Sequence, residues 1–425
     1  MQWLAKTLGG IVESRESQRE YGPTRAIFDT DNPLFQGLDR SQTVWSSHGD
    51  SVTVLPVSAS QVARSLDTEC CEGFQLANPL QKIWALQFHP EVKETLCGKS
   101  IFWNFVFGIC GCQKDWQAQN LIAEIREQIV QEVGDGKVIM GFSGGRDSTT
   151  LAKLASAVLG ERLLAVCVDG GQLRLNESEE IQANAKHAGS RLIVVDARPR
   201  FAEAFANTVD AEEKRAVFKK LYTATLEEQA EKFDARFLFQ GSLATDSIES
   251  GKTGGAVIKS HHNEGLQTKL KQVHPLHALF KYEVRALAQS LGLPESVCKR
   301  QPFPGPGLFT RVVGTPVTVG LLEIVRWADA QVTEILTRRG KMEEVDQLVV
   351  ALIGVKTVGV KGDKRTYGYP IAVRPVVSAD FMTAKGYHLP DEVEDEIVSK
   401  LTQHPEIVRG FFDPTPKPPA TVEFE

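Results

Sequence analysis

The sequence predicts an α/β protein with a parallel, doubly wound sheet in the middle of the chain. From residue 137 onward, short apolar segments of strand length alternate with longer segments of helical periodicity. This alternation is typical of βαβ units, whose parallel strands are covered by helices. The chain has 425 residues. At about 150 residues per domain, this length predicts about three domains.

The elements of the middle segment follow one another in a regular order. Strands are predicted at 137–142, 162–168 and 191–195, and helices at 149–160 and 178–189. Residues 143–148 form the predicted loop after the first strand. Apolar positions at helical spacing within 114–136 predict a helix that opens this domain. Ligands of such sheets bind beyond the carboxyl ends of the strands.

The flanking segments carry their own elements. The Pro-Gly sequence at 303–307 is a rigid interruption, and we place the next domain boundary there. A buried strand is predicted at 84–88 and an apolar helix at 98–109. The last segment predicts helices at about 317–338 and 391–403 and a strand at 370–377.

Composition and charge exclude several classes of protein. Hydrophobic residues make up 42% of the chain and charged residues 24%, which is ordinary for a globular protein. No apolar run approaches the ~20 residues of a membrane helix, and the first residues do not have the pattern of a signal peptide. The net charge of −6 and the lack of a long basic run argue against nucleic acid. We therefore expect neither a membrane nor a nucleic acid as partner.

The seven cysteines are odd in number and scattered along the chain. Their spacings fit neither a disulfide framework nor a four-ligand zinc site. Because unpaired thiols are typical of a reducing compartment, we expect a cytoplasmic protein.

The segment Ser143-Gly144-Gly145-Arg146-Asp147-Ser148 carries the sharpest chemical signal. Its two glycines let the backbone bend tightly and approach an oxyanion closely. The following helix N-terminus offers unpaired N–H groups that suit phosphate, and the two serines add hydroxyl donors. The segment is neither a Walker A loop nor GxGxxG. A helix cap without ligand is the alternative, but the strand–loop–helix order favours a phosphate site.

This loop resembles the pyrophosphate-binding loop of the N-type ATP pyrophosphatases, SGGxDS. Further segments, in order, are similar to the GMP synthase family: VDGGQLRLNE, QGSLATDSIES, IKSHHNEGL, RQPFPGPGL, VGVKGDKRTY, DFMTA and the ending KPPATVEFE. Near the N-terminus, SSHGD (46–50) and QFHPEV (87–92) resemble class I glutamine amidotransferases. The resemblance covers nearly the whole chain.

The resemblance implies three domains. Residues 1–112 would be a partial class I glutamine amidotransferase domain that lacks the nucleophilic Cys. Residues 113–305 would be an ATP pyrophosphatase domain with an adenine nucleotide α-hydrolase-like parallel sheet. Residues 306–425 would be an α+β C-terminal domain that binds substrate and pairs two subunits in a homodimer.

The implied reaction is the ATP-dependent amination of xanthosine monophosphate (XMP) to GMP. The C2 oxygen of XMP would attack the α-phosphate of ATP and release pyrophosphate. Ammonia would then displace AMP from the adenylyl-XMP intermediate. Positioning, charge neutralisation and exclusion of water would supply most of the catalysis.

The resemblance also assigns residues. ATP would be bound by Ser143, Gly144, Gly145, Arg146, Asp147, Ser148 and Val168. XMP would be bound by Arg174, Lys417 and Glu423. Lys259, in a lid over the phosphates, and Asp147 would be catalytic, and Asp147 and Asp246 would position Mg²⁺. From spacing alone, Arg174 and Lys259 could equally be solvated surface charges.

The amidotransferase segment departs from its family. His89 and Glu91 match the catalytic His and Glu, whereas the nucleophile belongs to a pattern like CYGMQ, of which Met1-Gln2 would be the last two residues. None of the cysteines at 70, 71, 97, 110 and 112 is expected to replace it. We therefore interpret His89 and Glu91 as relics, or as partners of a segment outside this sequence, and expect ammonia as nitrogen donor. A misplaced start and a truncated gene both stay open.

Other departures keep two further hypotheses open. Arg146 stands at the variable position of SGGxDS, the lid sequence SHHNEGL is one residue shorter than in the family, and Pro416 precedes Lys417. A related ligase acting on a different oxo-substrate is one alternative. A non-catalytic, nucleotide-binding paralogue with a regulatory role is the other.

Overall fold

The structure, a computed structural model, describes all residues except 15, 17, 18, 78–81, 116, 245–267 and 379–382. Its packing separates two compact units, residues 1–116 and 117–425. The domain boundaries predicted after residues 112 and 305 remain predictions. Among the described helices, none combines the length and apolar character needed to cross a membrane.

The first unit is built mainly of antiparallel strands. Its elements are α1 Gln2–Thr7, β1 Ile11–Ser14, β2 Glu20–Phe28, β3 Ser41–His48, β4 Asp50–Val54, β5 Ala59–Ser65, β6 Cys71–Leu76, β7 Trp84–Leu86, α2 Gly98–Trp103 and a π-helical segment Asn104–Ile109. Five strands form a sheet of order β3-β2-β5-β6-β7, and β1 pairs with β4. The strand predicted at 84–88 is present as β7. The helix predicted at 98–109 is α2 continued by the π-helical segment.

The parallel sheet of the second unit confirms the predicted α/β class. Its elements are α3 Ala118–Val133, β8 Val138–Gly141, α4 Arg146–Leu159, β9 Leu163–Asp169, α5 Glu177–Ala188, β10 Leu192–Asp196, α6 Arg198–Phe205, α7 Ala211–Phe233, β11 Phe237–Phe239, β12 Lys271–Val273, α8 Lys281–Ser290 and α9 Glu295–Cys298. The strand order is β10-β9-β8-β11-β12, and all neighbours are parallel.

Both faces of this sheet are buried, which explains why its strands are almost wholly apolar. In β8, Val138 and Met140 pack into one core together with Ile129 of α3 and Leu151 of α4. Ile139, which points to the opposite face, belongs to a second core. Each strand therefore needs apolar residues at consecutive positions, and helices cover both sides.

The helix after the first parallel strand begins earlier than its sequence pattern predicts. α4 starts at Arg146, so the predicted loop at 143–148 was wrong for its last three residues. The acidic Asp147 in the first turn interacts favourably with the helix dipole, and Ser148 Oγ donates a hydrogen bond to the Gly145 carbonyl (3.1 Å). Half of the motif thus lies at the N-terminus of a helix.

The C-terminal part adds a second sheet to the same unit. Its elements are β13 Val312–Val313, α10 Val319–Arg338, β14 Gln347–Ile353, β15 Thr357–Lys361, β16 Lys364–Val377, β17 Lys385–Gly386, α11 Asp391–Leu401 and β18 Ile407–Phe412. The main path has the order β13-β14-β16-β15, and β17 and β18 also pair with β16. The predicted helices and strand of this segment are present as α10, α11 and β16. One apolar core runs from Leu164 and Val166 of the parallel sheet to Val350 and Ile371 of this sheet.

The C-terminal tail is fixed by cationic side chains that are fully buried. The Arg374 guanidinium donates to Asp413 Oδ2 (2.7 Å) and to the Val422 carbonyl (3.2 Å). Lys214 Nζ, on α7, donates to Glu425 Oε2 (2.5 Å) and to the Val312 carbonyl (2.6 Å). The last residue of the chain is thereby tied to a helix that packs on the parallel sheet.

Replacing Lys214 with Ala should lower the free energy of unfolding by about 3 kcal/mol, because the Glu425 carboxylate, whose side chain is 8% exposed, loses its cationic partner. Chemical denaturation of the full chain measures this loss. Lys220→Ala, an exposed position on the same helix, is the matched control and should stay within about 0.5 kcal/mol of the parent. Equal stability of the two variants would show that the ion pair between Lys214 and Glu425 contributes nothing to the free energy of unfolding.

Candidate functional site

Three loops of the second unit converge on one edge of the parallel sheet. Residues 142–145 follow β8, residues 170–172 follow β9, and residues 240–242 follow β11. Because β9 and β11 flank β8 on opposite sides, the chain connections diverge at β8, which is where open α/β sheets form a ligand crevice. A Cβ atom built on Gly241 would lie 3.9 Å from the backbone of Asp147 and Ser148. The loop after β11 therefore lies against the start of α4.

Gly144 gives the first loop its shape. Its φ angle is +65°, and an added Cβ atom would lie 2.9 Å from Ile181 Cγ1 and 3.0 Å from Ile181 Cα. Its carbonyl oxygen accepts hydrogen bonds from Asn184 Nδ2 (2.9 Å) and Arg300 Nη1 (2.8 Å). Only glycine fits this conformation and this close approach.

Polar groups surround the N-terminus of α4. Ser143 Oγ lies 3.1 Å from Ser148 Oγ and accepts the Gly145 N–H (3.3 Å). Arg146 Nε donates to Asp147 Oδ1 (3.3 Å), and the Asp147 carboxylate is about one-third exposed. Two hydroxyls, a guanidinium and a helix N-terminus thus lie within one short segment, an arrangement that suits a phosphate group.

Arg300 and Asn184 are positioning residues that the sequence did not reveal. Besides the Gly144 carbonyl, Arg300 binds the Glu177 carboxylate (2.5 Å), and its own side chain is only 10% exposed. Arg300 lies 156 positions from Gly144 along the chain. Local sequence patterns therefore could not connect the two, although Arg300 opens the segment RQPFPGPGL.

The loop after β9 is held by its own side chains. Val168 is buried, and its carbonyl accepts the Gln172 amide (2.8 Å), whose oxygen in turn accepts the Gly170 N–H (2.7 Å). A cavity of about 290 Å³ opens beside this loop, lined among others by Asp169, Gly170, Arg174, Phe309 and Arg326. Its mixture of backbone, aromatic and cationic groups is typical of a small-molecule pocket.

Arg174 and Glu423 belong to one connected cluster. The Arg174 guanidinium lies 4.5 Å from the centre of the Phe303 ring, and the Arg311 guanidinium lies 4.7 Å from the same centre. Arg311 also contacts Glu423 Oε1 (3.3 Å) and Asp329 Oδ1 (2.9 Å). Phe303 and Arg311 thus connect two residues that are far apart in sequence, and sequence analysis identified neither of them individually.

Opposite charges within the cluster shift one another's pKa values. Arg311 and Asp329 are both buried. Burial raises the pKa of Asp329, whereas the charges of Arg311 and Arg174 act in the opposite direction. For Arg311, burial acts to lower the pKa, but the carboxylates of Glu423 and Asp329 raise it, so this guanidinium stays charged.

The remaining predicted residues of this unit differ in what the structure describes. Lys417 forms an antiparallel bridge with Ala384, in which its N–H donates to the Ala384 carbonyl (2.8 Å) and its carbonyl accepts the Ala384 N–H (3.1 Å). Asp246 and Lys259 lie outside the described residues.

His89 and Glu91 lie together in the first unit. His89 Nδ1 is 2.7 Å from Glu91 Oε1, and both side chains are substantially exposed. The described residues include all seven cysteines, and none of their sulfur atoms forms a hydrogen bond with His89. Cys97 is buried, and this burial raises the pKa of its thiol.

A parallel sheet of this order, with an SGGxDS loop after its central strand, defines an adenine-nucleotide-binding domain of the ATP pyrophosphatase type. Comparison with known families agrees with this class. Residues 118–245 match NAD synthase, residues 1–109 match glutamine amidotransferase class-I, and residues 334–424 match the GMP synthase C terminal domain.

Relatives matched over the full chain are named GMP synthase [glutamine-hydrolyzing]. The protein of Lactobacillus delbrueckii subsp. bulgaricus is 41% identical over 432 residues, covering 100% of this chain and 83% of that protein. The Thermotoga maritima protein is 41% identical (100% and 85% covered), and that of Bacillus thuringiensis 39% identical (100% and 83% covered). The chain therefore belongs to the glutamine-hydrolysing GMP synthase family, a family of ligases.

Replacing Arg300 with Ala should weaken ATP binding about tenfold, or about 1.4 kcal/mol, because the Gly144 carbonyl loses an anchor and the loop is no longer held in place. Titration calorimetry with ATP measures the change in Kd. Lys299→Ala, which changes the exposed residue next to Arg300, is the matched control. Thermal melts of both variants show whether they are folded. Unchanged ATP affinity in folded Arg300→Ala protein would contradict a positioning role.

Proposed function

We propose that the 425-residue chain catalyses the ATP-dependent amination of XMP to GMP, releasing AMP and pyrophosphate, with ammonia as nitrogen donor. The observation that carries this proposal is the Gly144 loop at the N-terminus of α4, in a chain of this family. Phosphate groups bind well at such helix termini. In the same unit, Arg174 lies against the Phe303 ring, and buried Arg311 connects this ring to Glu423; Arg174 and Glu423 are the polar groups proposed for a second nucleotide.

In the proposed first step, the backbone N–H groups at 143–145 and the hydroxyls of Ser143 and Ser148 hold the β- and γ-phosphates of ATP. The C2 oxygen of XMP attacks the α-phosphorus. The new P–O bond forms as the bond to the bridging oxygen of pyrophosphate breaks. Because the phosphates are held rigidly at the loop, the donors stabilise the developing negative charge of pyrophosphate as it leaves.

In the proposed second step, ammonia attacks C2 of the adenylyl-XMP intermediate. The C–N bond forms, one proton is lost, and the C–O bond to AMP breaks to give GMP. Arg174, Lys417 and Glu423 would orient XMP through both steps. Lys259, assigned by resemblance alone, would close over the phosphates and exclude water, which otherwise competes with ammonia.

Mg²⁺ is proposed as the companion of ATP. Mg²⁺ prefers oxygen ligands and commonly binds through one or two carboxylates together with substrate phosphates. Asp147 supplies a partly exposed carboxylate beside the loop, which fits this requirement, and Asp246 is the second proposed ligand. When bound, Mg²⁺ would neutralise charge on the leaving pyrophosphate.

The proposal of ammonia as donor rests on the environment of the cysteines. A glutaminase nucleophile must lie within hydrogen-bond reach of its base. Cys70, Cys71 and Cys97 are buried, and among the described residues no cysteine sulfur forms a hydrogen bond with His89. We propose that His89 and Glu91 take no part in amination when ammonia is supplied.

A homodimer in the cytoplasm is the proposed state of the protein. All seven cysteines are unpaired thiols, in keeping with a reducing compartment. Val358 and Val360 of β15 and Tyr367 of β16 share one exposed face at the edge of the C-terminal sheet. An exposed apolar face of this kind is typical of a subunit contact.

With ATP, Mg²⁺ and XMP, the purified chain should form GMP from ammonium and none from glutamine. Asp147→Asn should reduce the rate at least about a hundredfold, because it removes a carboxylate at the phosphate site. Asp135→Asn, a fully exposed carboxylate elsewhere in the same unit, is the matched control.

GMP from glutamine would contradict the donor assignment. ATP binding without any GMP would favour the regulatory paralogue, and pyrophosphate release without GMP would point to another oxo-substrate.

Sedimentation equilibrium should give twice the 46.8 kDa mass of one chain. Val360→Lys should shift the protein toward the monomer, because it buries a charge in the proposed contact. Val57→Lys, an exposed apolar position in the first unit, should leave the mass unchanged. A monomeric parent chain, or a dimeric Val360→Lys variant, would exclude this contact.

A further inference from the structure

Four side chains of mixed donor type meet inside the first unit. Glu20 begins β2, His48 ends β3, Cys70 precedes β6 and Glu72 lies within β6. One nitrogen, one sulfur and two carboxylate oxygens from these residues lie within 4.8 Å of one another. All four residues are buried. The group lies outside the site proposed for nucleotides and takes no part in the chemistry proposed there.

Four of the six distances between these donor atoms are close to those between neighbouring ligand atoms in a tetrahedral metal site, and all six are within 4.8 Å. His48 Nε2 is 3.2 Å from Glu20 Oε2 and 3.5 Å from Glu72 Oε1. Cys70 Sγ is 3.4 Å and 3.5 Å from the same two oxygens. Zinc bonds of about 2.0–2.3 Å in tetrahedral geometry separate neighbouring ligand atoms by about 3.3–3.6 Å.

Polar atoms in the group have unmet bonding capacity. Glu72 Oε2 and His48 Nδ1 have no hydrogen-bond partner among the described residues, although the Glu72 side chain is fully buried and that of His48 is 5% exposed. Buried groups without partners are rare, and each calls for an explanation. When both carboxylates are ionised they outnumber the one imidazole, which leaves an excess of buried negative charge. A divalent cation bound to Glu72 would supply the missing positive charge, whereas His48 would bind it through Nε2 and its Nδ1 would stay outside the coordination.

The surroundings hold one ligand in place. Glu20 Oε1 accepts hydrogen bonds from Ser65 Oγ (2.7 Å) and Thr68 Oγ1 (3.0 Å), which leaves Oε2 facing His48 and Cys70. Such outer hydrogen bonds orient the ligands of metal sites. Neighbouring Cys71 is different, because its sulfur donates to the Gly73 carbonyl and lies outside the group.

We propose that Glu20, His48, Cys70 and Glu72 bind one Zn²⁺ ion, which links strands β2, β3 and β6 of the first unit. The nitrogen and sulfur donors favour zinc over magnesium or calcium, which prefer oxygen ligands alone. Four protein ligands leave no open position, so the role is structural. On binding, the Cys70 thiol loses its proton and His48 is neutral.

A metal-free alternative is a protonated network. Burial lowers the pKa of His48, but hydrogen bonds with Glu20 and Glu72 outweigh it and raise the pKa to about 9. An imidazolium would then provide part of the compensating charge. The experiment must therefore measure the metal itself rather than stability alone.

The test uses the full, untagged chain carrying Cys110→Ser and Cys112→Ser, which removes the two exposed thiols. Protein purified from zinc-supplemented medium is passed through gel filtration, and zinc per chain is measured by plasma mass spectrometry. Cobalt-substituted protein is examined for the charge-transfer absorption of a Co²⁺–thiolate bond. Cys70→Ser and Glu72→Gln are the test variants, and Cys71→Ser is the matched control.

The proposal predicts one zinc per chain in the parent and in Cys71→Ser, with a Co²⁺–thiolate band in both. Cys70→Ser should lose the band, and both test variants should bind zinc so much more weakly that they retain less than one zinc per chain after gel filtration. If Cys70→Ser does not fold, Glu72→Gln gives the affinity result. A folded parent without zinc, or equal zinc in parent and test variants, would overturn the proposal in favour of the protonated network or of adventitious metal.

Discussion

The architecture of the second unit depends on buried cations that receive the C-terminal tail. Arg311, Arg374 and Lys214 are almost completely buried, and their partners include Glu423, Asp413 and Glu425. A buried charge is tolerated only when it is paired and hydrogen-bonded. The tail is therefore needed to satisfy these side chains, and residues 413–425 become part of the folded structure.

This constraint links fold to site. Arg311 lies between Glu423 of the tail and the Phe303 ring, which Arg174 approaches as well. The tail thereby helps to hold the cluster that contains Arg174, whereas the Gly144 loop lies at the N-terminus of α4. The continuous apolar core between the two sheets keeps these two parts in one compact body. One compact body can hold bound groups at fixed relative positions, which the proposed transfer between ATP and XMP requires.

The sequence predicted those features that depend on a local pattern of residues. Consecutive apolar residues such as those of β9 identified buried parallel strands, and the paired glycines of the SGGxDS loop identified the tight turn before α4. The predicted start of α4 was wrong because the helix begins at Arg146, before its apolar periodicity. Gly145 precedes its first residue, and Asp147 in its first turn favours the helix. Long-range partners remained invisible, as with Arg300 and Gly144. Cysteine spacing also could not reveal the group of Glu20, His48, Cys70 and Glu72, because these residues come together only when strands β2, β3 and β6 have paired.

In the proposed mechanism, the C2 oxygen of XMP attacks the α-phosphate of ATP. The most direct test supplies XMP carrying ¹⁸O at the C2 oxygen, together with ATP, Mg²⁺ and ammonium, and examines the products by mass spectrometry. This mechanism should place one ¹⁸O atom in the phosphate of AMP and none in pyrophosphate. Unlabelled AMP formed together with GMP would show that amination proceeds without the adenylyl intermediate and would contradict the account.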